Sequence, residues 1–301
     1  MKYILSLILI ANALYSTPIT PLPKYIPTNP KKVALGKALF FNPILSKDGT
    51  VSCASCHDLY NGGDDDKVVS TGIDGQKGNI NAPTVLNAVF NFRQFWDGRA
   101  KDLQEQAAGP IENPVEMGNT FDNLIKTLKN SPYKAQFEAL YSDGITKENI
   151  TDAIAEFEKT LITPESPFDR YLRGDEHAIS QSQKEGYALF QTKGCIACHH
   201  GRNVGGNLFN KFGVIISIDD ANLGRYNVTH NESDKYFFKV PSLRNVALTA
   251  PYFHNGSVSD LKEAVYFMAK HQLGRAITEE EVTKIVDFLH ALTGETPKSI
   301  R

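Results

Sequence analysis

Cys53-Ala54-Ser55-Cys56-His57 and Cys195-Ile196-Ala197-Cys198-His199 are the two stretches on which the reading of this chain turns. These two copies of C-x-x-C-H use all 4 cysteines of the 301 residues. In such a motif two thiols bond the vinyl-derived carbons of a porphyrin, and the adjacent histidine is thereby placed to ligate iron, so the macrocycle dictates the spacing. A redox-active C-x-x-C would want a βαβ setting, and a zinc site would want further ligands at finger-like spacing; neither context is present. The same placement argues against two structural disulfides, the first expectation for four cysteines in an exported protein. We therefore expect two covalently attached haem c groups. Cys53 and Cys56, with His57 as iron ligand, hold the first; Cys195 and Cys198, with His199, hold the second. His200 reads as a surface or propionate neighbour.

Working outward, Gly36-Lys37-Ala38-Leu39-Phe40 precedes the first motif and Gly186-Tyr187-Ala188-Leu189-Phe190 the second, as though one helical module were used twice. Ser180 and Gln183 form a capping box at the start of the second helix. Between the modules Ile150, Ile154, Phe157 and Leu161 recur at helical spacing, and Thr163-Pro164-Glu165-Ser166-Pro167 breaks the pattern. Near the end Thr278 and Glu281 form another capping box. Ile277 can staple to Val282, and Val282, Ile285, Val286, Leu289 and Leu292 make an apolar stripe ending at Gly294. Strand-like alternation is scarce. The expected fold is mainly α, with two cytochrome c-like domains, each holding one c-type haem, and long ordered loops. The N-terminal haem domain is placed at 17–165 and the C-terminal one at 166–301, whose last helix could pack back on the first.

The basic start and brief apolar run of residues 1–10, followed by Ala11-Asn12-Ala13, read as a signal peptide over 1–16. An uncleaved anchor is the alternative, although the run is short for a membrane span. No later segment could span a bilayer. A net charge of -2, with charges interspersed, supplies no basic face for nucleic acid.

The sixth ligand decides whether an iron carries electrons or binds substrate. Of 3 methionines, Met1 leaves with the signal peptide, Met117 lies in a Pro- and Gly-rich loop, and Met268 falls in the helical stretch 261–268 after the second motif. A buried methionine is usually core filler, yet small cytochromes carry theirs several tens of residues beyond the haem motif. Met268 is assigned to the second haem.

Several longer phrases carry a resemblance: Asn81-Ala82-Pro83-Thr84-Val85-Leu86-Asn87, Phe95-Trp96-Asp97-Gly98-Arg99-Ala100, Gln106-Ala107-Ala108-Gly109-Pro110 with Pro114-Val115-Glu116-Met117-Gly118, and Pro251-Tyr252-Phe253-His254-Asn255-Gly256. Over nearly the whole mature chain the sequence resembles the bacterial di-haem cytochrome c peroxidases. The resemblance implies that the first haem is peroxidatic, with Glu116 as distal acid–base and Gln106 beside it. Trp96 would lie between the haems on the electron path, and His254 would support the second haem. Asn81, Thr249 and Pro251 would hold a calcium ion between the domains through oxygens suited to a hard cation. On residue type alone, Glu116 would pass for a surface glutamate, and Trp96 and His254 for satisfied core residues. The calcium residues would be invisible.

The same resemblance implies hydrogen peroxide as substrate, a small cytochrome c or cupredoxin as electron donor, a periplasmic location, and a homodimer as in many relatives. Two rivals remain. One is a related enzyme that oxidises tryptophans of a partner protein, which has tyrosine in place of the methionine ligand. The other is a plain di-haem electron carrier with both irons six-coordinate. Met268 argues against the first, and the loop bearing Gln106 and Glu116 against the second. One departure stands out: activation-dependent members carry a histidine that closes the resting first haem, where this chain reads Ser70-Thr71-Gly72-Ile73-Asp74-Gly75. Isoleucine cannot ligate iron, so the first haem is expected to be open or only water-bound when oxidised.

Overall fold

The computed structural model describes residues 18–300, so the signal peptide expected over 1–16 lies outside the described residues. Ten α-helices follow in order: α1 (Pro30–Phe41), α2 (Leu103–Glu112), α3 (Phe121–Lys129), α4 (Tyr133–Leu140), α5 (Lys147–Glu158), α6 (Pro167–Leu172), α7 (Gln181–Thr192), α8 (Tyr226–Thr229), α9 (Leu261–Phe267) and α10 (Glu279–His290). Two three-residue strands, β1 (Phe209–Lys211) and β2 (Phe237–Lys239), pair antiparallel, with Phe209 opposite Lys239. The architecture is the mainly helical, two-unit one expected. Among the described residues no helix is long and apolar enough to cross a membrane.

Helix ends form where side chains satisfy the free backbone N–H groups. Asn29 caps α1 by accepting from the Lys31 and Lys32 amides, with Pro30 at the first helical position. Reciprocal capping boxes start α7 (Ser180 with Gln183) and α10 (Thr278 with Glu281). α10 stops at His290, so the apolar stripe outlasts the helix. Gly294 instead lies on the Thr163 carbonyl, where an added Cβ would come within 1.9 Å.

Each unit is built on one helix pair. α1 crosses α5 so closely that a Cβ on Gly36 would sit 1.8 Å from the Ala153 carbonyl oxygen and 3.0 Å from Phe157 Cβ. α7 crosses α10 in the same way, with Gly186 at 1.8 Å from the Lys284 carbonyl oxygen and 3.0 Å from Phe288 Cβ. The repeat seen in sequence as two glycine-led phrases is thus a repeat of helix crossing. Leu35, Leu39, Ile150 and Ile154 anchor one core, and Phe190, Ile285, Phe288 and Leu289 the other.

The chain ends cross over. Ile19 is buried in the second core, whereas Ile300 is buried with Phe40, Phe157 and Leu161 of the first. Arg244 and Asp169, both fully buried, fix the leading segment. They pair at 2.9 Å, Asp169 accepts from the Leu22 amide at 3.1 Å, and Arg244 donates to the Thr20 carbonyl at 3.2 Å. At the junction between the units, the buried Thr163 hydroxyl accepts from the Asn87 amide at 2.8 Å and from the Asn245 amide at 2.9 Å. Thr163→Val leaves both buried amides without that acceptor. It is expected to lower unfolding free energy by on the order of 2 kcal/mol, read from denaturant midpoints of the haem-loaded protein.

Candidate haem sites across two matched loops

Each C-x-x-C-H begins in one 3-10 turn, Cys53–Ser55 and Cys195–Ala197. The Cys56 amide donates to the Cys53 carbonyl at 3.1 Å and the Cys198 amide to the Cys195 carbonyl at 3.2 Å, so each thiol pair hangs from a single turn. All four thiols are free. Burial raises Cys53 well above the ordinary thiol range and Cys195 to about 11, so both are held as neutral thiols.

The two histidines are half-buried, and desolvation disfavours their charged forms; His199 is pushed down to about 4. His57 Nδ1 lies 3.0 Å from the Gly63 carbonyl, to which it donates as the neutral tautomer, leaving Nε2 as the ligating nitrogen. His199 Nδ1 faces the Val204 and Pro241 carbonyls without a well-aligned bond. A cleft with about 1860 Å³ of free space, its mouth included, adjoins the second motif; Cys195, Cys198, His199 and Met268 line it, with Leu243 and Leu289 among its apolar walls. Two thiols on one turn, a neutral imidazole and an apolar slot fit a covalently bound haem. Met268 is half-buried and opens a π-helical turn, Met268–Gln272, directly after α9, rather than lying within that helix.

The loops that face these sites are copies of one another. Residues 83–100 and 241–258 run in step: Asn87 and Asn245 are left-handed (φ 62° and 61°), as are Phe95 and Phe253 (66° and 69°) and Gly98 and Gly256 (67° and 60°). In each copy an isolated bridge closes the loop, Gln94 with Ala100 and Tyr252 with Val258. In this register Trp96 matches His254, and Asn81 matches Lys239. The copies dock by a reciprocal exchange, the Lys239 amide to the Trp96 carbonyl at 2.7 Å and the Asn81 amide to the His254 carbonyl at 2.8 Å. The Trp96 and His254 rings meet edge to face at 6.1 Å, and Trp96 Nε1 donates to the Asn81 carbonyl at 2.9 Å. His254 is further fixed by Asp220 at 3.0 Å and by Phe238 stacked at 4.0 Å. Asn81, Thr249 and Pro251 line the same cleft.

A partly desolvated carboxyl stands beside the first motif. Glu116 accepts from Asn113 Nδ2 at 2.6 Å, and desolvation raises its pKa against the pull of Asn113 and of Arg99. Its charge bears on both Cys53 and Cys56, which places it beside the first motif. Gln106 is half-buried on α2, whose neighbouring Ala107 packs in the core that also takes in Cys53 and Met117. Ile73 is buried, and its amide donates to the Glu116 carbonyl at 2.8 Å, so the 70–75 loop is tied to the acid's own backbone.

Three residues escaped the sequence reading. Asp220 orients His254 from an irregular loop that nothing local marks. Glu158, buried with Oε2 unpartnered and pushed up to about 8, sits beside Cys53, where the matching helix has Leu289. Lys239 is buried at the end of β2. The parallel of Pro83-Thr84-Val85-Leu86-Asn87 with Pro241-Ser242-Leu243-Arg244-Asn245 was the available signal for the matched loops.

Comparison with known proteins bears on these sites. Residues 30–177 match the family model described as di-haem cytochrome c peroxidase, and residues 183–293 match that for cytochrome c. The cytochrome c peroxidase of Escherichia coli is 52% identical over 92% of this chain, which spans 61% of that relative's length. The cytochrome c551 peroxidase of Nitrosomonas europaea is 50% identical over 93% of this chain and 85% of its own. Among solved structures, a MauG-like protein associated with microbial copper homeostasis superposes with a TM-score of 0.80 at 27% identity, over 91% of this chain and 95% of its own. Replacing Cys53 and Cys56 together, or Cys195 and Cys198 together, by alanine is expected to remove one haem of two. Pyridine haemochrome absorbance per mole of protein reads this.

Proposed function

Because this chain belongs to the di-haem cytochrome c peroxidase family, we propose that it reduces hydrogen peroxide to water at the first haem site, with electrons passed on from the second. The observation that carries this is the asymmetry of the two sites. A desolvated carboxyl, Glu116, stands by the first motif, and a methionine, Met268, lines the cleft of the second. Cys53, Cys56 and His57 would hold a haem, which would supply the iron and the electrons needed to break the O–O bond of peroxide. Glu116 takes the proton from the near oxygen and returns it to the far one as it leaves. With two electrons and two protons drawn in, both oxygens depart as water. Asn113 fixes the carboxyl, and the 70–75 loop is bonded to the Glu116 backbone.

His199 and Met268 would close the second site and suit it to a higher potential. Electrons enter there from a small cytochrome c or cupredoxin in the bacterial periplasm and pass by Trp96, whose backbone already bonds to β2 and whose ring abuts His254. Asn81, Thr249 and Pro251 are read as a calcium site in the same cleft, through oxygens that suit a hard cation. With Ile73 in place of a closing histidine, the oxidised first site stays open or only water-bound.

Glu116→Gln is expected to lower kcat about 10²- to 10⁴-fold while leaving cyanide binding at the first site intact; unchanged turnover overturns the assignment. The pKa of Glu116 is raised, so its basic form is lost as pH falls through a value above the usual carboxylate range. The acid limb of kcat/KM therefore lies above that range and vanishes in the variant. Met268→Ala is expected to abolish the near-infrared signature of the second haem. For Ile73 the readout is the resting ferric spectrum, where two low-spin haems with bis-His and His–Met ligation would overturn the open site.

A further inference from the structure

Lys239 is the buried charge that the chemistry above does not use. It is 5% exposed, and burial alone acts on its ammonium, pushing the pKa down to about 8 with no neighbouring carboxylate to offset it. Its backbone is fixed on both sides, by the Trp96 carbonyl and by pairing of β2 with β1. Lys239 is among the residues that line the cleft of the second motif. That motif shares the framework: Asn210 of β1 contacts Cys198 Sγ at 3.1 Å, and Pro241, two residues after Lys239, faces His199. Asp64 is the one carboxylate among the residues named as lining the cleft, and the charges that act on it are those of Asp58, Asp65 and Asp66, not Lys239. Desolvating an ammonium is costly, and a nearly buried lysine that pairs with no carboxylate at the wall of a cofactor slot favours an anion in that slot.

We propose that Lys239 is an anion site for a carboxylate of the cofactor, pairing with a propionate of the second haem and raising that haem's reduction potential. A fixed positive charge near the iron favours the reduced form, which carries one positive charge fewer. The matched loops make the effect one-sided. Asn81 occupies the equivalent position in the other copy and brings a neutral amide, so the fixed charge of the protein itself is delivered to one half of the molecule. The inference rests on the reading of the second motif as a haem site.

The test is potentiometric titration of the haem-loaded wild type and of K239R, K239Q and K239M, with each haem followed by its own absorbance. K239M is apolar and of similar length, which suits a buried position and guards against misfolding of K239Q. The expected result is a shift of the second haem's one-electron equilibrium toward the oxidised form by about tenfold in K239Q and K239M, equal to ~59 mV, with K239R within about twofold of wild type on the same scale. Two haems per chain with the second potential unmoved in both neutral variants overturns the Lys239 assignment alone, as does a larger shift at the first haem. A wild type that holds a single haem overturns the two-haem reading beneath it.

Discussion

Two backbone hydrogen bonds, from the Lys239 amide to the Trp96 carbonyl and from the Asn81 amide to the His254 carbonyl, dock the matched loops that face the two haem motifs. Each loop takes a left-handed turn at an asparagine and another at a phenylalanine before its glycine. A non-glycine residue in that region is uncommon and persists where its surroundings fix it. Asn87 and Asn245 are fixed by the same Thr163 hydroxyl, and the Thr163 and Gly294 amides each return a bond to one of them, at 2.9 and 3.0 Å. The geometry between the two sites is therefore set by main chain and buried amides, and the side chains above it are free to differ.

They differ at a few matched positions. Trp96 faces His254, Asn81 stands where the other copy has Lys239, and Glu158 stands where the other helix pair has Leu289. The backbone repeats while the polarity does not. A duplicated haem module can in this way give one site an acid and a tryptophan, and the other a methionine and a buried cation, without disturbing the helix crossing that builds each core. The crossing tolerates little change, because Gly36 and Gly186 let the opposing carbonyls approach to distances that no Cβ permits.

The crossed chain ends add a second restraint between the units. Ile19 in the second core and Ile300 in the first tie each end of the described chain to the module more distant from it in sequence. The fully buried Arg244–Asp169 pair is well satisfied, since each partner also bonds backbone of the leading segment. Such a pair holds its surroundings in one arrangement even where its net contribution to stability is small.

What the sequence determined by itself was whatever depends on spacing along the chain. The two haem motifs, the capping boxes at Ser180 and Thr278 and the stripes of α5 and α10 are local patterns, legible because covalent geometry and helical period act over a few residues. Met268 could be picked out by elimination and by its distance beyond the second motif, whereas Glu116, Gln106 and Trp96 could be named only through resemblance, since nothing in a lone glutamate or tryptophan marks it as functional. Tertiary structure alone decided the rest: the Trp96–His254 contact, the tie between Ile73 and the Glu116 backbone, the burial of Lys239 and Glu158, and the support that Asp220 gives His254. Those are encounters between segments far apart in the chain, and burial, which raises the pKa of Glu116 and lowers that of Lys239, exists only once such segments have met.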